Sequence, residues 1–159
     1  MDRLDIRLLA LLQRDAGRST KALAQAVGLS VSACAKRVAR LKREGIVKRV
    51  VARLDPSRFP APVSAAVMVT LSAPKAHVAR AFTERMNGID AVQQCHAVTG
   101  DFDFLLILRE RSIETYHALA EEIFGDSPDV QAYKTVFILR TTKNVDEIPS
   151  FCLEQAAGS

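Results

Sequence analysis

Four cationic side chains on one short stretch have the charge and spacing to grip a polyanion: Lys36, Arg37, Arg40 and Arg43. At about 100° per residue they fall, with Ala33, on one side of a helix. Val31, Cys34, Val38 and Leu41 form an apolar stripe on the other side. Guanidinium and ammonium groups bind phosphates, and arginine reads guanine edges through a bidentate fork. Ser32 and Ala33, in the first turn, are placed to touch base edges. Ser30 is a good N-cap, since its hydroxyl can accept a free amide, and it could touch a phosphate as well. Thr20 and Lys21 open the preceding helix, whose N-terminal amides favour anions. Any one cation here could simply be solvated, but that reading is weak for the cluster. Lys42 falls on the apolar side and is expected only to snorkel, and Cys34 reads as a small core residue.

The elements that must position these groups can be read outward from them. Leu23 and Val27 sit one helical turn apart and share a face, and Gly28 follows as a turn residue. A short helix, a glycine turn and a longer basic helix suggest a helix-turn-helix that reads DNA. Upstream, Leu4, Leu8, Leu11 and Leu12 make a third apolar stripe, with Asp2 and Asp5 at the end of the dipole that favours acids. Ile6 and Leu9 lie off that stripe and would either meet another subunit or stay exposed. This helix should end near Asp15-Ala16-Gly17, and Gly45 should end the basic one. Ile46 to Leu54 is rich in β-branched residues and reads as a strand, a wing or an arm toward a partner. Residues 1–54 are thus expected to form a winged helix-turn-helix domain.

Charge divides the chain in the same place. Residues 1–60 hold 14 Lys+Arg and 5 Asp+Glu, net +9; residues 61–159 hold 8 and 13, net −5, which returns the overall +4. A basic first third beside an acidic remainder implies a polyanion partner for the first part alone. A hydrophobic content of 48% over 159 residues supports real cores and argues against disorder. No apolar run approaches the roughly 18 residues of a membrane span. Met1-Asp2-Arg3 leads into a charged amphipathic helix rather than a signal peptide. Three well-separated cysteines, Cys34, Cys95 and Cys152, argue against a disulfide framework, so a cytoplasmic setting is expected.

Asp55-Pro56 and Phe59-Pro60-Ala61-Pro62 punctuate the chain, and residues 55–62 read as a linker. The second domain, 63–159, reads strand, helix, strand, strand, helix, strand. Its strands are Val63–Ser72, Ile89–Thr99, Phe102–Arg109 and Val130–Thr142. One helix starts at Pro74 and runs to about Asn87, with Val78, Ala81, Phe82 and Met86 inward. The other is capped by Ser112 and runs to Phe124, with Tyr116, Leu119, Ala120 and Ile123 inward. This order is the split βαβ, ferredoxin-like plan, so the whole chain is α+β. Phe102, Phe104, Leu106 and Leu108 occupy one face of the third strand and Leu105 and Ile107 the other. A strand apolar on both sides wants both sides buried. Two helices cover only one face of a four-stranded sheet, so the other face should meet a second copy of the chain. The plain alternative is an ordinary core with a few exposed aliphatics.

The Gly100 turn is a second candidate site. Gly100 permits a tight turn whose amides could meet a carboxylate, and Asp103 is an acid flanked by Phe102 and Phe104. Asp103 could equally serve a turn or inter-subunit hydrogen bond. Cys95-His96 has no companions at ligand spacing, which argues against zinc, and the pair reads as packing residues. No metal or cofactor is expected.

Taken in order, these residues resemble the Lrp/AsnC, or feast/famine, family over nearly the whole chain. The likeness rests on Leu4-Asp5, Leu8-Leu9, Leu23-Ala24, Val27-Gly28-Leu29-Ser30, Arg37-Val38, Arg40-Leu41 and Glu44-Gly45-Ile46. In the second half it rests on Val98-Thr99-Gly100-Asp101-Phe102-Asp103-Phe104-Leu105-Leu106. The resemblance implies a transcriptional regulator that responds to an amino acid, dimerises and assembles further, octamers being common. It implies that Arg37 anchors the DNA backbone. It also implies an effector pocket between the sheets of neighbouring subunits, near Thr99, Gly100, Asp101, Phe102 and Asp103. An amino acid there would turn its amine to Asp103 and its carboxylate to backbone amides. By family position, Ala97, Ile113, Val136, Phe137 and Ile138 would shape the side-chain end. Leu139-Arg140-Thr141-Thr142-Lys143 departs from the family's usual valine-lysine ending. Two other functions stay open. One is an enzyme resembling the family's tetrapyrrole decarboxylase relatives, with His96 as candidate. The other is an architectural protein that binds DNA with little sequence preference.

Overall fold

The computed structural model describes residues 1–73 and 75–156. Pro74, expected in the first turn of a helix, lies outside the described residues. The chain divides into two units, Met1–Leu54 with the returning segment from Lys143, and Asp55–Thr142.

The first unit is helical. Its helices are α1 (Arg3–Arg14), α2 (Thr20–Val27) and α3 (Val31–Arg43). Asp2 caps α1 reciprocally. Its Oδ1 accepts from the Asp5 amide at 2.8 Å, while Asp5 Oδ2 accepts from the Asp2 amide at 3.1 Å. Ser19 Oγ accepts from the Ala22 amide, and Gly28, at φ 73°, closes α2 in the left-handed conformation that glycine adopts without strain. Ser30 caps α3 by accepting from the Ala33 amide at 3.2 Å. Leu8, Leu23, Ala24, Val27 and Cys34 form the core between the three helices, joined by Leu4, Leu11, Leu12, Leu29 and Val38.

Three expectations change in this unit. Ile6 and Leu9 are buried within a single chain, as is Leu153 of a last helix that packs on α1. No strand forms over residues 46–54, and Val50, Val51 and Leu54 are exposed. A strand needs a ladder partner for its amides and carbonyls, and the described residues of this unit hold no strand to supply one. The segment from Lys143, expected to end the second domain, packs with the first unit. Gln13 clamps the Ile148 backbone with two hydrogen bonds of 3.0 Å, donating from Nε2 and accepting at Oε1. Arg14 pairs with Glu147, and Arg53 donates to the Asn144 carbonyl. Such long-range contacts leave no local pattern in the sequence.

The second unit contains β1 (Val63–Leu71), α4 (Ala76–Asn87), β2 (Val92–Ala97), β3 (Phe104–Glu110), α5 (Ile113–Ala120) and β4 (Val130–Phe137). The last helix, α6 (Ser150–Gln155), belongs to the first unit's returning segment. A π-helical turn at Glu121–Gly125 extends α5. The sheet is antiparallel throughout, in the order β2-β3-β1-β4, which is the ferredoxin-like arrangement. Ala65, Val67, Val69 and Leu71 of β1 and Phe104, Leu106 and Leu108 of β3 face Phe82, Met86, Tyr116, Ala120 and Phe124. Both helices therefore cover one face. On the other face Ala66, Met68, Leu105, Ile107 and Val136 lie side by side by register, with Lys134, Gln94 and His96. None of these side chains is fully buried. β4 ends at Phe137 rather than Thr142: Ile138 still donates to Ser64, and β1 has no strand residue before Val63 to pair with residues 140–142.

Candidate functional site

The basic helix presents a narrower face than its sequence suggests. Ser32, Ala35, Lys36, Ala39 and Arg43 are exposed and recur at spacings of three, one, three and four, a continuous stripe along α3. Ala33 is half-buried. Lys42, expected to snorkel along the apolar side, is exposed, and so is Val31. Ala35 and Ala39 therefore join the candidate face beside Lys36 and Arg43. The alternation of exposed small residues with cations carried that signal, which a count of charge alone misses.

Arg37 and Arg40 do not point freely outward. Arg37 Nη1 lies 2.5 Å from Asp2 Oδ2 and 2.9 Å from Asp5 Oδ1. Arg40 Nη2 lies 2.6 Å from Asp5 Oδ2. Asp5 is only 1% exposed. Burial pushes its carboxyl up, but the hydrogen bonds from Arg40, the Asp2 amide and Arg37 outweigh that and hold it at about 2. Asp2 is also held below the ordinary range, chiefly by the Asp5 amide and then by Arg37. Both guanidiniums are held more strongly protonated by these acids. Of the other predicted contacts, Thr20 and Lys21 are exposed at the start of α2. The Ser30 hydroxyl serves the Ala33 amide and lies 3.3 Å from the Ser32 hydroxyl.

The predicted effector residues form two groups, and a single chain does not bring them together. Ala97, Thr99, Gly100, Asp101, Phe102 and Asp103 surround the β2–β3 turn, where Gly100 has φ 119°. Asp103 fastens this turn to β1: its amide donates to Val69, and its Oδ2 accepts from the Leu71 amide at 2.7 Å. Val136, Phe137 and Ile138 sit at the other end of the sheet, with Phe137 paired to Ala65. Phe137 packs edge-on to Tyr116 of α5, whose hydroxyl bonds Thr135. Ala65 and Leu71 stand six positions apart on β1, which is roughly 20 Å of strand. Ile113, at the start of α5, is 48% exposed, and Val136 50%.

Cys95 is half-buried against the sheet core, and burial pushes its thiol up; Cys34 is buried and Cys152 exposed. His96 is exposed, with Nε2 3.3 Å from Gln94 Oε1. Among the described residues, no three His, Cys, Asp or Glu side chains are grouped to hold a metal ion. No described helix is long and apolar enough to cross a membrane.

A glycine-turned helix pair with a basic exposed stripe, followed by a ferredoxin-like sheet, defines a helix-turn-helix DNA-binding protein with an appended α+β unit. Residues 1–48 match the winged helix-turn-helix DNA-binding domain and residues 64–148 the Lrp/AsnC ligand binding domain. The chain belongs to the Lrp/AsnC family of transcriptional regulators. It is 32% identical to the leucine-responsive regulatory protein of Escherichia coli K12 over 148 residues, covering 93% of this chain and 90% of that protein. It is 33% identical to an uncharacterized HTH-type transcriptional regulator of Haemophilus influenzae over 143 residues, 90% of this chain and 85% of the other. Its structure is similar to that of an AsnC family transcriptional regulator from Agrobacterium tumefaciens, with TM-score 0.85 and 28% identity over 94% of this chain and 97% of that one. It is also similar to a Neisseria meningitidis transcriptional regulator in complex with L-Met, with TM-score 0.85 and 25% identity over 94% and 96%. These relatives are named as regulators and not as enzymes.

Proposed function

We propose that this regulator works in the cytoplasm as a dimer or higher assembly whose DNA binding is set by an amino acid held between subunits. The observation that carries this reading is the separation of the candidate effector residues. The Gly100 turn and the Val136–Ile138 group lie at opposite ends of one sheet, so a pocket using both needs more than one chain. The uncovered face of Ala66, Met68, Leu105, Ile107 and Val136 supports sheet-to-sheet pairing, since an apolar face of this kind is stabilised by a second copy. The Neisseria relative's complex with L-Met supports an amino acid as the ligand class. Binding would favour one arrangement of subunits and so change the spacing of the DNA-binding heads.

A thermal-shift screen of the twenty amino acids tests the reading. A ligand at about 100 times its dissociation constant stabilises by roughly 2.7 kcal/mol. No shift from any of the twenty would reject the amino-acid effector. Retention of a selected duplex no better than an unrelated one at physiological salt would point to the architectural reading instead.

A further inference from the structure

The pairing of the two arginines bears on how α3 meets DNA, and the inference rests on the DNA-binding function above. We propose that Asp5 is a positioning residue, which holds Arg37 and Arg40 away from DNA and uses them to set the angle of α3. Base contact is left to Ser32, Ala35, Lys36 and Ala39.

Three observations carry this. Asp5 is buried, and both its oxygens are occupied: Oδ1 by Arg37, Oδ2 by Arg40 and by the Asp2 amide. The arginines stand three residues apart on α3 and converge on one carboxylate in the first turn of α1. Two guanidiniums held by the two oxygens of one fixed acid restrain both the rotation of α3 about its axis and its slide along α1. If either arginine turned to a phosphate, the acid would lose a partner while still buried, which is costly. The exposed stripe, meanwhile, runs through Ser32, Ala35, Lys36, Ala39 and Arg43 and passes beside the two arginines rather than through them. Alanine methyls and a serine hydroxyl suit close approach to base edges in the major groove.

The test measures affinity against salt for the full chain, using fluorescence anisotropy. One probe is a 30-base-pair duplex enriched from a randomised pool by the wild-type protein; the other is an unrelated duplex of equal length. Removing one phosphate-binding cation flattens the slope of log K against log salt by about 0.9. Lys36→Ala should flatten it. Arg37→Gln and Arg40→Gln should keep the wild-type slope while the preference for the enriched duplex falls about tenfold or more. Arg40→Lys, which can still reach the acid, should recover part of that preference. A slope flattened by Arg40→Gln as much as by Lys36→Ala would overturn the proposal. Should the glutamine variants fail to fold, Asp5→Asn decides, because it keeps every cation and the shape of the acid. Positioning predicts weaker binding of the enriched duplex and an unchanged slope. Arginines that contact DNA would be freed by the change, giving tighter binding of both duplexes and a steeper slope. If the wild-type chain shows no preference between duplexes, it is the sequence-specific reading itself that fails, before any variant is compared.

Discussion

Arg40 Nη2 donates to Asp5 Oδ2 at 2.6 Å, tying α3 to the first turn of α1 across 35 residues of sequence. The same carboxylate caps its own helix through the Asp2 amide. One buried acid thus holds two helices, and its removal should be felt in both.

Asp5→Ala should therefore destabilise the helical unit by about 3 kcal/mol, near the lower end for breaking a buried pair because both arginines keep some solvent. Arg18→Ala breaks only an exposed pair with Asp15 and should cost no more than about 0.5 kcal/mol. Urea midpoints at constant m-value report both. Equal losses would mean that the Asp5 network is no stronger than a surface contact.

Acid should weaken the protein through the same residue. Asp5 is held at about 2 in the folded chain, against an ordinary value of 3.8. A depressed carboxyl stabilises the fold fully above the unfolded value, and that contribution fades as pH falls from 3.8 toward 2. The difference amounts to about 2 kcal/mol. Stability curves from about pH 6 to about pH 2 should drop more steeply in this window for the wild type than for Asp5→Asn.

Ile107→Glu should break the assembly without unfolding the sheet unit. Ile107 is half-exposed on the uncovered face, beside Ala66 and Gln94. A charge there has water available in a lone chain but would be desolvated against a second copy. Light scattering should give a multimer for the wild type and a monomer for the variant, with circular dichroism unchanged. A variant that stays multimeric would place the contact elsewhere.

Asp103→Asn separates the two duties open to that side chain. The asparagine oxygen can still accept from the Leu71 amide, so the turn should hold and the melting temperature move by only a few degrees. The charge that would meet an ammonium group is lost, so the thermal shift given by an amino-acid ligand should vanish. Asp103→Ala, by contrast, orphans the Leu71 amide and should cost about 1–2 kcal/mol with or without ligand. A full ligand shift in the asparagine variant would restrict Asp103 to fastening the turn.

Much of the architecture was readable because it is written in short-range periods. Three- and four-residue spacings mark α1 to α3, a continuous apolar run marks β3, and Ser30, Gly28 and Ser112 sit where caps and turns require them. The division of charge between the halves pointed to a polyanion partner, and the motifs from Leu4-Asp5 to Glu44-Gly45-Ile46, followed by the Val98–Leu106 stretch, pointed to the family. What the periods do not contain is the choice of partner. Arg37 and Arg40 look like free cations on a wheel, and only folding brings Asp5 beneath them. Residues 46–54 have the composition of a strand but find no ladder in this chain. Gln13 and Ile148 meet only because the tail returns. Local sequence sets which conformations are favourable and which faces are apolar, because those depend on neighbours three or four residues away. Tertiary structure decides which charges pair with each other and which remain for a ligand, because that depends on groups brought together from distant parts of the chain.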